Sequence, residues 1–423
     1  MDYLLYNIRL VDVAQRQVRV EPWALVWDQD GIIRDSGPEQ VVLLRYPRAT
    51  RLDGKNSYVL PGLIDCHVHF SAAGHPSKWD DLTLSVPEMT ARALVHAKRT
   101  LYAGITSVRD AGSPFGIGVG VRRAIEHGWH VGPHMRVAGT PFSITGGHAD
   151  PANGFPPHIH WQGGAVVDSP DDARREARRQ LRDGVDVLKF MASGGVMSTG
   201  DKSTERGLLV EEMAAAVAEA KNRGKKTMAH AQAQEGIENA LKAGVDSIEH
   251  GFYLSDWAIE EMIKRDVTLV ATLTAVQQII DHGVESGIAP DSVEKAKVAQ
   301  EAHQNSLLRA FRAGVRFAMG TDAGTPFNYH GDNAQEIRHL LDLGLNIWDA
   351  LEAATLHGAE LLDIPSGLIA PGYLADLILL PDNPIDHPPT LWTTSERRQV
   401  IKQGQLVKRL DSVDPVEPKE ATV

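Results

Sequence analysis

The strongest constraint on this chain is a rhythm. Short apolar segments rich in β-branched residues recur at YVLPGLIDCHVHF (58–70), ITSVRDAG (105–112), MRVAGTPF (135–142) and DVLKFMASGG (186–195). They continue at KTMAHAQ (226–232), SIEHGFY (247–253), TLVATLTA (268–275) and RFAMGTDAG (316–324). Between them lie helical patterns such as PEMTARALVHAKRTLYAG (87–104), DDARREARRQLRDG (171–184), EEMAAAVAEAKNRG (211–224), EGIENALKAG (235–244) and SVEKAKVAQEAHQNSLLRAFRAG (292–314). Each of these ends in glycine, at Gly104, Gly184, Gly224, Gly244 and Gly314, the residue suited to a left-handed helix cap. Eight strands alternating with helices predict an α/β chain folded as a closed parallel (β/α)8 barrel. The rival is a doubly wound open sheet, but no glycine-rich phosphate-binding turn follows the first strand.

The flanks read differently. YLLYNIRLVDV, ALVWDQD and GIIRDSG near the start, and ADLILLPDNP and RRQVIKQGQLVKR near the end, are strand-like pieces separated by turns. They predict a small β-sandwich built from both termini, residues 1–57 plus 366–423, around a catalytic barrel at 58–365. The stretch DSVDPVEPKEATV (411–423) is polar and proline-bearing and reads as disordered or draped on a surface.

Charge and cysteine content narrow the partners. A net charge of −12 with no lysine or arginine stripe argues against nucleic acid and anionic membranes as partners. The one cysteine, Cys66, permits no internal disulfide. No basic leader precedes an apolar segment at the start, and no apolar run approaches the ~20 residues of a membrane span. The expected location is the cytoplasm.

Barrel enzymes carry their chemistry at the carboxyl ends of the strands. Reactive side chains stand there in the predicted strands: His67 and His69 on the first, Lys189 on the fourth, His230 on the fifth, His250 on the sixth and Asp322 on the eighth. Strand alternation puts Asp65, His67 and His69 on one face, so the H-x-H pair can grip one ion. Imidazole and carboxylate suit zinc and similar metals. Any one of the 18 histidines is by default a surface or packing residue. The set is what points to a metal centre.

At these motifs the chain resembles the amidohydrolase superfamily: PGLIDCHVH (61–69), VLKFMASGG (187–195), MAHAQ (228–232), IEHG (248–251), GTDAG (320–324) and the late GLIAPGYLADLILL (367–380). The resemblance covers nearly the whole chain. The resemblance implies two divalent metal ions, with zinc the expected metal, bridged by a CO2-derived carbamate on Lys189; a plain strand-end salt bridge is the alternative for that lysine. It assigns His67, His69 and Asp322 to the first metal and His230 and His250 to the second, with Lys189 shared. It further implies that a bridging water attacks the carbonyl while Asp322 takes its proton and hands it to the departing amine.

TSVRDAG (106–112), SITGGHAD (143–150) and ASGGVMS (192–198) resemble the imidazolonepropionase-related branch, which holds metal-dependent dipeptidases and ochratoxin-hydrolysing amidases. His148 in a glycine-rich loop could donate to the substrate carbonyl or carboxylate, or simply bond to backbone. Ser193, Gly194 and Gly195 after Lys189 leave the backbone open to substrate, unless they are an ordinary βα turn. Arg109 and Asp110 read as a structural ion pair. Dipeptidases of this branch carry tyrosine two residues beyond the fifth-strand histidine; here Gln232 occupies that place, which tilts the expectation toward hydrolysis of an N-aroyl amino acid of the ochratoxin A type, releasing phenylalanine. A dipeptidase or a cyclic-amide hydrolase is the second expectation, and a metal-free assembly scaffold the third. The resemblance also implies a small-molecule substrate and a homo-oligomer.

Overall fold

A computed structural model describes residues 1–76, 83–156, 158, 163–198, 200–393, 395 and 397–407; the polar stretch 411–423 lies outside the described residues. In chain order the strands are β1 (Tyr3–Asp12), β2 (Gln17–Val18), β3 (Trp23–Trp27), β4 (Ile33–Pro38), β5 (Thr50–Pro61), β6 (Leu63–Val68), β7 (Ile105–Asp110), β8 (His134–Val137) and β9 (Phe142–Ser143). They continue as β10 (Ala165–Val166), β11 (Val187–Met191), β12 (Lys226–Ala231), β13 (Ser247–His250), β14 (Thr268–Val270), β15 (Phe317–Ala318), β16 (Leu377–Leu380), β17 (Gln399–Lys402) and β18 (Gln405–Val407).

Strands from both ends of the chain join one eight-stranded sheet, β18-β17-β16-β5-β1-β3-β4, with β2 on β1. The sequence predicts a sandwich here; what the hydrogen bonds define is a single mixed sheet, because β1 pairs in parallel with β5 and so links the amino-terminal strands to β16 and β17. Both of its faces are apolar. Leu5, Leu25, Trp27, Val59, Leu377 and Ile401 form a core on one side, while the alternate residues Leu4, Ala24 and Val26 pack with Val42 of the helix Glu39–Arg45. That two-sided burial explains why these strands read as near-continuous apolar runs.

The middle of the chain forms two parallel sheets, β6-β7-β8 and β10-β9-β11-β12-β13-β14-β15. Their edges meet. Ala138, just beyond β8, bridges in parallel to Val187 of β11, and Val68 of β6 bridges to Ala323 beyond β15. Backbone bonds reinforce the second junction: the Cys66 N–H donates to Met319 O (2.8 Å), the Asp322 N–H to His67 O (2.7 Å) and the His69 N–H to Ala323 O (2.8 Å). Asp65 ties the same seam, accepting from the Thr321 hydroxyl (2.6 Å) and the Asn333 amide (2.7 Å).

The helices lie where the 3.6-residue pattern places them, at Val86–Tyr102, Pro170–Asp183, Val210–Asn222, Gln234–Ala243 and Pro290–Ala313. The helix Pro170–Asp183 shows why its ends fall there. Ser169 accepts from the Asp172 N–H, proline opens the first turn, and Gly184 caps the end at φ 98°. Cys66 is free and buried. No described helix is long and apolar enough to cross a membrane.

Candidate metal centre

Six side chains converge on one cavity of about 260 Å³: His67, His69, Lys189, His230, His250 and Asp322 all line it. Strand register brings them level. Met191 of β11 pairs with His230 of β12, and Ala231 pairs with His250 of β13. His67 Nε2 lies 3.3 Å from Lys189 Nζ and 3.4 Å from Asp322 Oδ1, and His69 Nε2 is 3.1 Å from the same oxygen. Donor atoms of His67, His250 and Asp322 lie within 4.8 Å of one another. A larger polar cleft of about 640 Å³, between the helices Leu273–His282, Pro290–Ala313 and Gln335–Leu343, contains none of the six.

Two of the six are brought inward by strained backbone. Strand alternation would set His250 opposite to Glu249. Instead, both reach His67: Glu249 Oε2 accepts from His67 Nδ1 (2.7 Å), and the His250 and His67 ring centroids are 5.1 Å apart. His250 at φ 71° breaks the alternation, and Asp322 adopts φ 59° four residues past β15. Left-handed conformations at residues other than glycine cost ~1–3 kcal/mol each and gather at functional sites. Lys189 sits mid-strand in β11 rather than at its end.

The outward nitrogen of each histidine is already engaged. His67 Nδ1 donates to Glu249, His69 Nδ1 to Gly112 O (3.0 Å), His230 Nε2 to Gly194 O (3.1 Å) and His250 Nδ1 to Thr272 Oγ1 (2.7 Å), which itself donates to Ala271 O. With those protons placed outward, His67, His230 and His250 turn a lone pair toward the cavity, and burial holds all three well below the usual imidazole range. His69 goes the other way: burial opposes its protonation, but the hydrogen bond and charge of Asp322 raise it. Burial also opposes ionisation of Asp322, yet His67, His69 and Lys189 hold it well below the usual carboxylate range. The buried Lys189 ammonium is pushed down to about 8 by desolvation. Three neutral imidazoles, an ionised carboxylate and a lysine able to shed its proton are the donor set a divalent metal centre requires. The residues fit the metals.

Four further residues were expected to meet substrate. His148 and Gln232 line the cavity; Ser193 and Gly194 do not. The Ser193 hydroxyl accepts from the Gln232 N–H (2.8 Å) and donates to Gly194 O (2.8 Å), tying β11 to β12. Gly194 is glycine because a Cβ there would lie 2.2 Å from the Lys202 carbonyl oxygen, and Gly195 because a Cβ would strike the His148 ring at 2.4 Å. Both glycines make room for neighbouring protein atoms. Gly194→Ala is therefore expected to cost ~1–3 kcal/mol through overpacking, read as a lower urea midpoint; an unaltered midpoint removes the packing role. Gln232 carries a buried Oε1 with no hydrogen-bond donor among the described residues.

Arg109 and Asp110 are not paired with each other, because consecutive strand residues point to opposite faces. Arg109 reaches Glu249 (2.8 Å), Ser247 Oγ (3.0 Å) and Cys66 O (2.8 Å), while Asp110 accepts from the Gly112 N–H (3.1 Å) and the Ser113 hydroxyl (3.1 Å). Glu249 escaped the sequence reading. Its available signal was an acid of the same strand parity as Ser247, one residue before His250 in a wholly buried strand.

The model of the amidohydrolase family matches residues 58–407. Ochratoxinase of Aspergillus niger is 31% identical over 402 residues, covering 90% of this chain and 82% of that protein. Among solved structures, a Xaa-Pro dipeptidase with methionine bound in its active site superposes with a TM-score of 0.88 at 30% identity, over 97% of this chain and 100% of that one. The crystal structure of A. niger ochratoxinase gives a TM-score of 0.82 at 29% identity, over 96% and 95%.

Proposed function

The chain belongs to the amidohydrolase family, and on that premise we propose that it is a metal-dependent amidase that cleaves an N-aroyl amino acid of the ochratoxin A type and releases phenylalanine. One observation carries the reading: His67, His69, Lys189, His230, His250 and Asp322 share a single cavity. The proposal includes a closed (β/α)8 barrel in which β6–β8 and β11–β15 form one ring through the Ala138–Val187 and Val68–Ala323 bridges. Residues 58–365 make the catalytic unit, with 1–57 and 366–423 as its companion domain.

In this reading His67, His69 and Asp322 hold one ion, His230 and His250 the other, and Lys189, as a carbamate, both. When bound, two divalent ions, zinc by preference, supply Lewis acidity at the scissile carbonyl and lower the pKa of a water. Asp322, ionised by its neighbours, takes the proton from the attacking water and delivers it to the leaving nitrogen. Glu249 fixes His67 with its lone pair inward. Met191, Val196, Met197, Phe252, Val276 and Ile279 give the cavity apolar walls that suit an aromatic acyl group.

The relative named ochratoxinase favours this substrate class. The neighbour named Xaa-Pro dipeptidase favours the second reading, a dipeptidase. Phenylalanine release from N-aroyl-phenylalanine, measured beside dipeptides and imidazolonepropionate with the zinc-loaded protein, separates them; turnover of dipeptides alone removes the first. Chelation is expected to abolish turnover and to lower the unfolding temperature, since an ion at 100 times its Kd contributes ~2.7 kcal/mol. Less than one equivalent of bound metal, unaltered by added zinc, would instead support a scaffold.

A further inference from the structure

His148 is seated more firmly than a loop residue needs to be. Its ring lies close against Gly195 and stacks on His230, with centroids 4.3 Å apart and planes at 21°. Its Nδ1 is 2.7 Å from Ser198 Oγ. The Ser198 hydroxyl has one proton, and it goes to Asp201 Oδ1. Asp201 is itself buried, receives the Gly195 N–H (3.2 Å) and has the Lys295 ammonium 3.9 Å from the same Oδ1. Lys295 also donates to Ser198 O (2.9 Å), which pins the loop.

The proton count then fixes Nδ1 as a donor. Ser198 spends its hydrogen on Asp201, so it must accept at its oxygen, and the His148 Nδ1 carries the proton. In the neutral ring Nε2 is left as an acceptor. Nε2 has no partner among the described residues, and the ring lines the cavity. Gln232 lines the same cavity with a second acceptor, the Oε1 that lacks a donor. Two acceptors that line one cavity, neither with a donor among the described residues, fit a ligand that brings N–H groups.

From this juxtaposition we infer that the site selects secondary amides, reading the scissile N–H through His148 Nε2, with Ser198 and Asp201 as positioning residues that set its tautomer. This rests on the amidase reading and sharpens it: an amide whose nitrogen is a proline ring atom or carries a methyl has no hydrogen to offer.

The test compares N-benzoyl-phenylalanine with its N-methyl counterpart. The full-length zinc-loaded protein is expected to prefer the N–H amide in kcat/KM by roughly 10–100-fold, the effect of leaving an acceptor that the bound substrate desolvates without a partner. Asp201→Asn lets the serine donate to Nδ1 instead, so the preference should fall several-fold toward one, and Ser198→Ala should weaken it too. A purely steric penalty against the methyl would persist unaltered in both variants, and that result overturns the inference. Nitrogen-15 NMR of the histidine rings, assigned with His148→Gln, reads the tautomer without turnover: a protonated Nδ1 is expected, and a protonated Nε2 overturns it. Loss of one metal equivalent in His148→Gln would make the residue a ligand and likewise overturn it. Equal hydrolysis of both amides removes the N–H selectivity and leaves the amidase reading standing. Hydrolysis of neither removes the amidase reading and this inference with it.

Discussion

Asp322→Asn is expected to lower kcat by ~10²–10⁴-fold, the usual contribution of a positioned acid–base group. The argument is geometric before it is electrostatic. Asp322 faces the cavity from a left-handed residue, with Oδ1 3.4 Å from His67 Nε2 and 3.1 Å from His69 Nε2. Those neighbours and Lys189 keep it ionised at neutral pH, so it is available to accept a proton. The asparagine amide preserves shape and removes that capacity. Metal content measured on the same preparation separates two roles: full metal with lost turnover marks the proton carrier, whereas lost metal marks a ligand alone. Activity at the wild-type level removes Asp322 from the chemistry.

Glu249→Gln should damage both stability and metal affinity. Glu249 is fully buried and bridges two partners, the Arg109 guanidinium at 2.8 Å and His67 Nδ1 at 2.7 Å. Removing its charge leaves Arg109, itself 3% exposed, without its carboxylate in the protein interior. Breaking a buried pair in this way costs ~3–5 kcal/mol. The partner behind a metal-binding histidine is typically worth ~10–100-fold in affinity. Urea unfolding of the chelated protein reads the first effect and zinc titration with a competing chelator the second. Wild-type zinc affinity in the variant would show that Glu249 is a structural ion-pair partner with no hold on the site.

Much of the site was legible because of where barrels keep their chemistry. His67, Lys189, His230 and His250 lie on the strands that the apolar rhythm marks out, and His69 and Asp322 just beyond them. The helices were legible too, since a pattern of period 3.6 closed by glycine is a local property, and Gly104, Gly184, Gly224, Gly244 and Gly314 all adopt positive φ. The terminal strands were readable as strands, but their joining into one sheet through the parallel β1–β5 pair was not. Pairing between segments distant in the chain leaves no local signature.

The sequence by itself determined the periodicity, the glycine stops and the kinds of ligand present, because each depends on a residue and its near neighbours. Tertiary structure alone decided which way those ligands face. Alternation along a strand predicts that Glu249 and His250 diverge, and only the left-handed turn at His250 sends both toward His67. It likewise decided that Gly194 and Gly195 make room for Lys202 and His148, and that Ser198 and Asp201 stand behind His148. Proton placement at this site depends on partners as distant in the chain as His67 and Glu249, 182 positions apart, and a partner becomes specific only when the fold has brought it within hydrogen-bond reach.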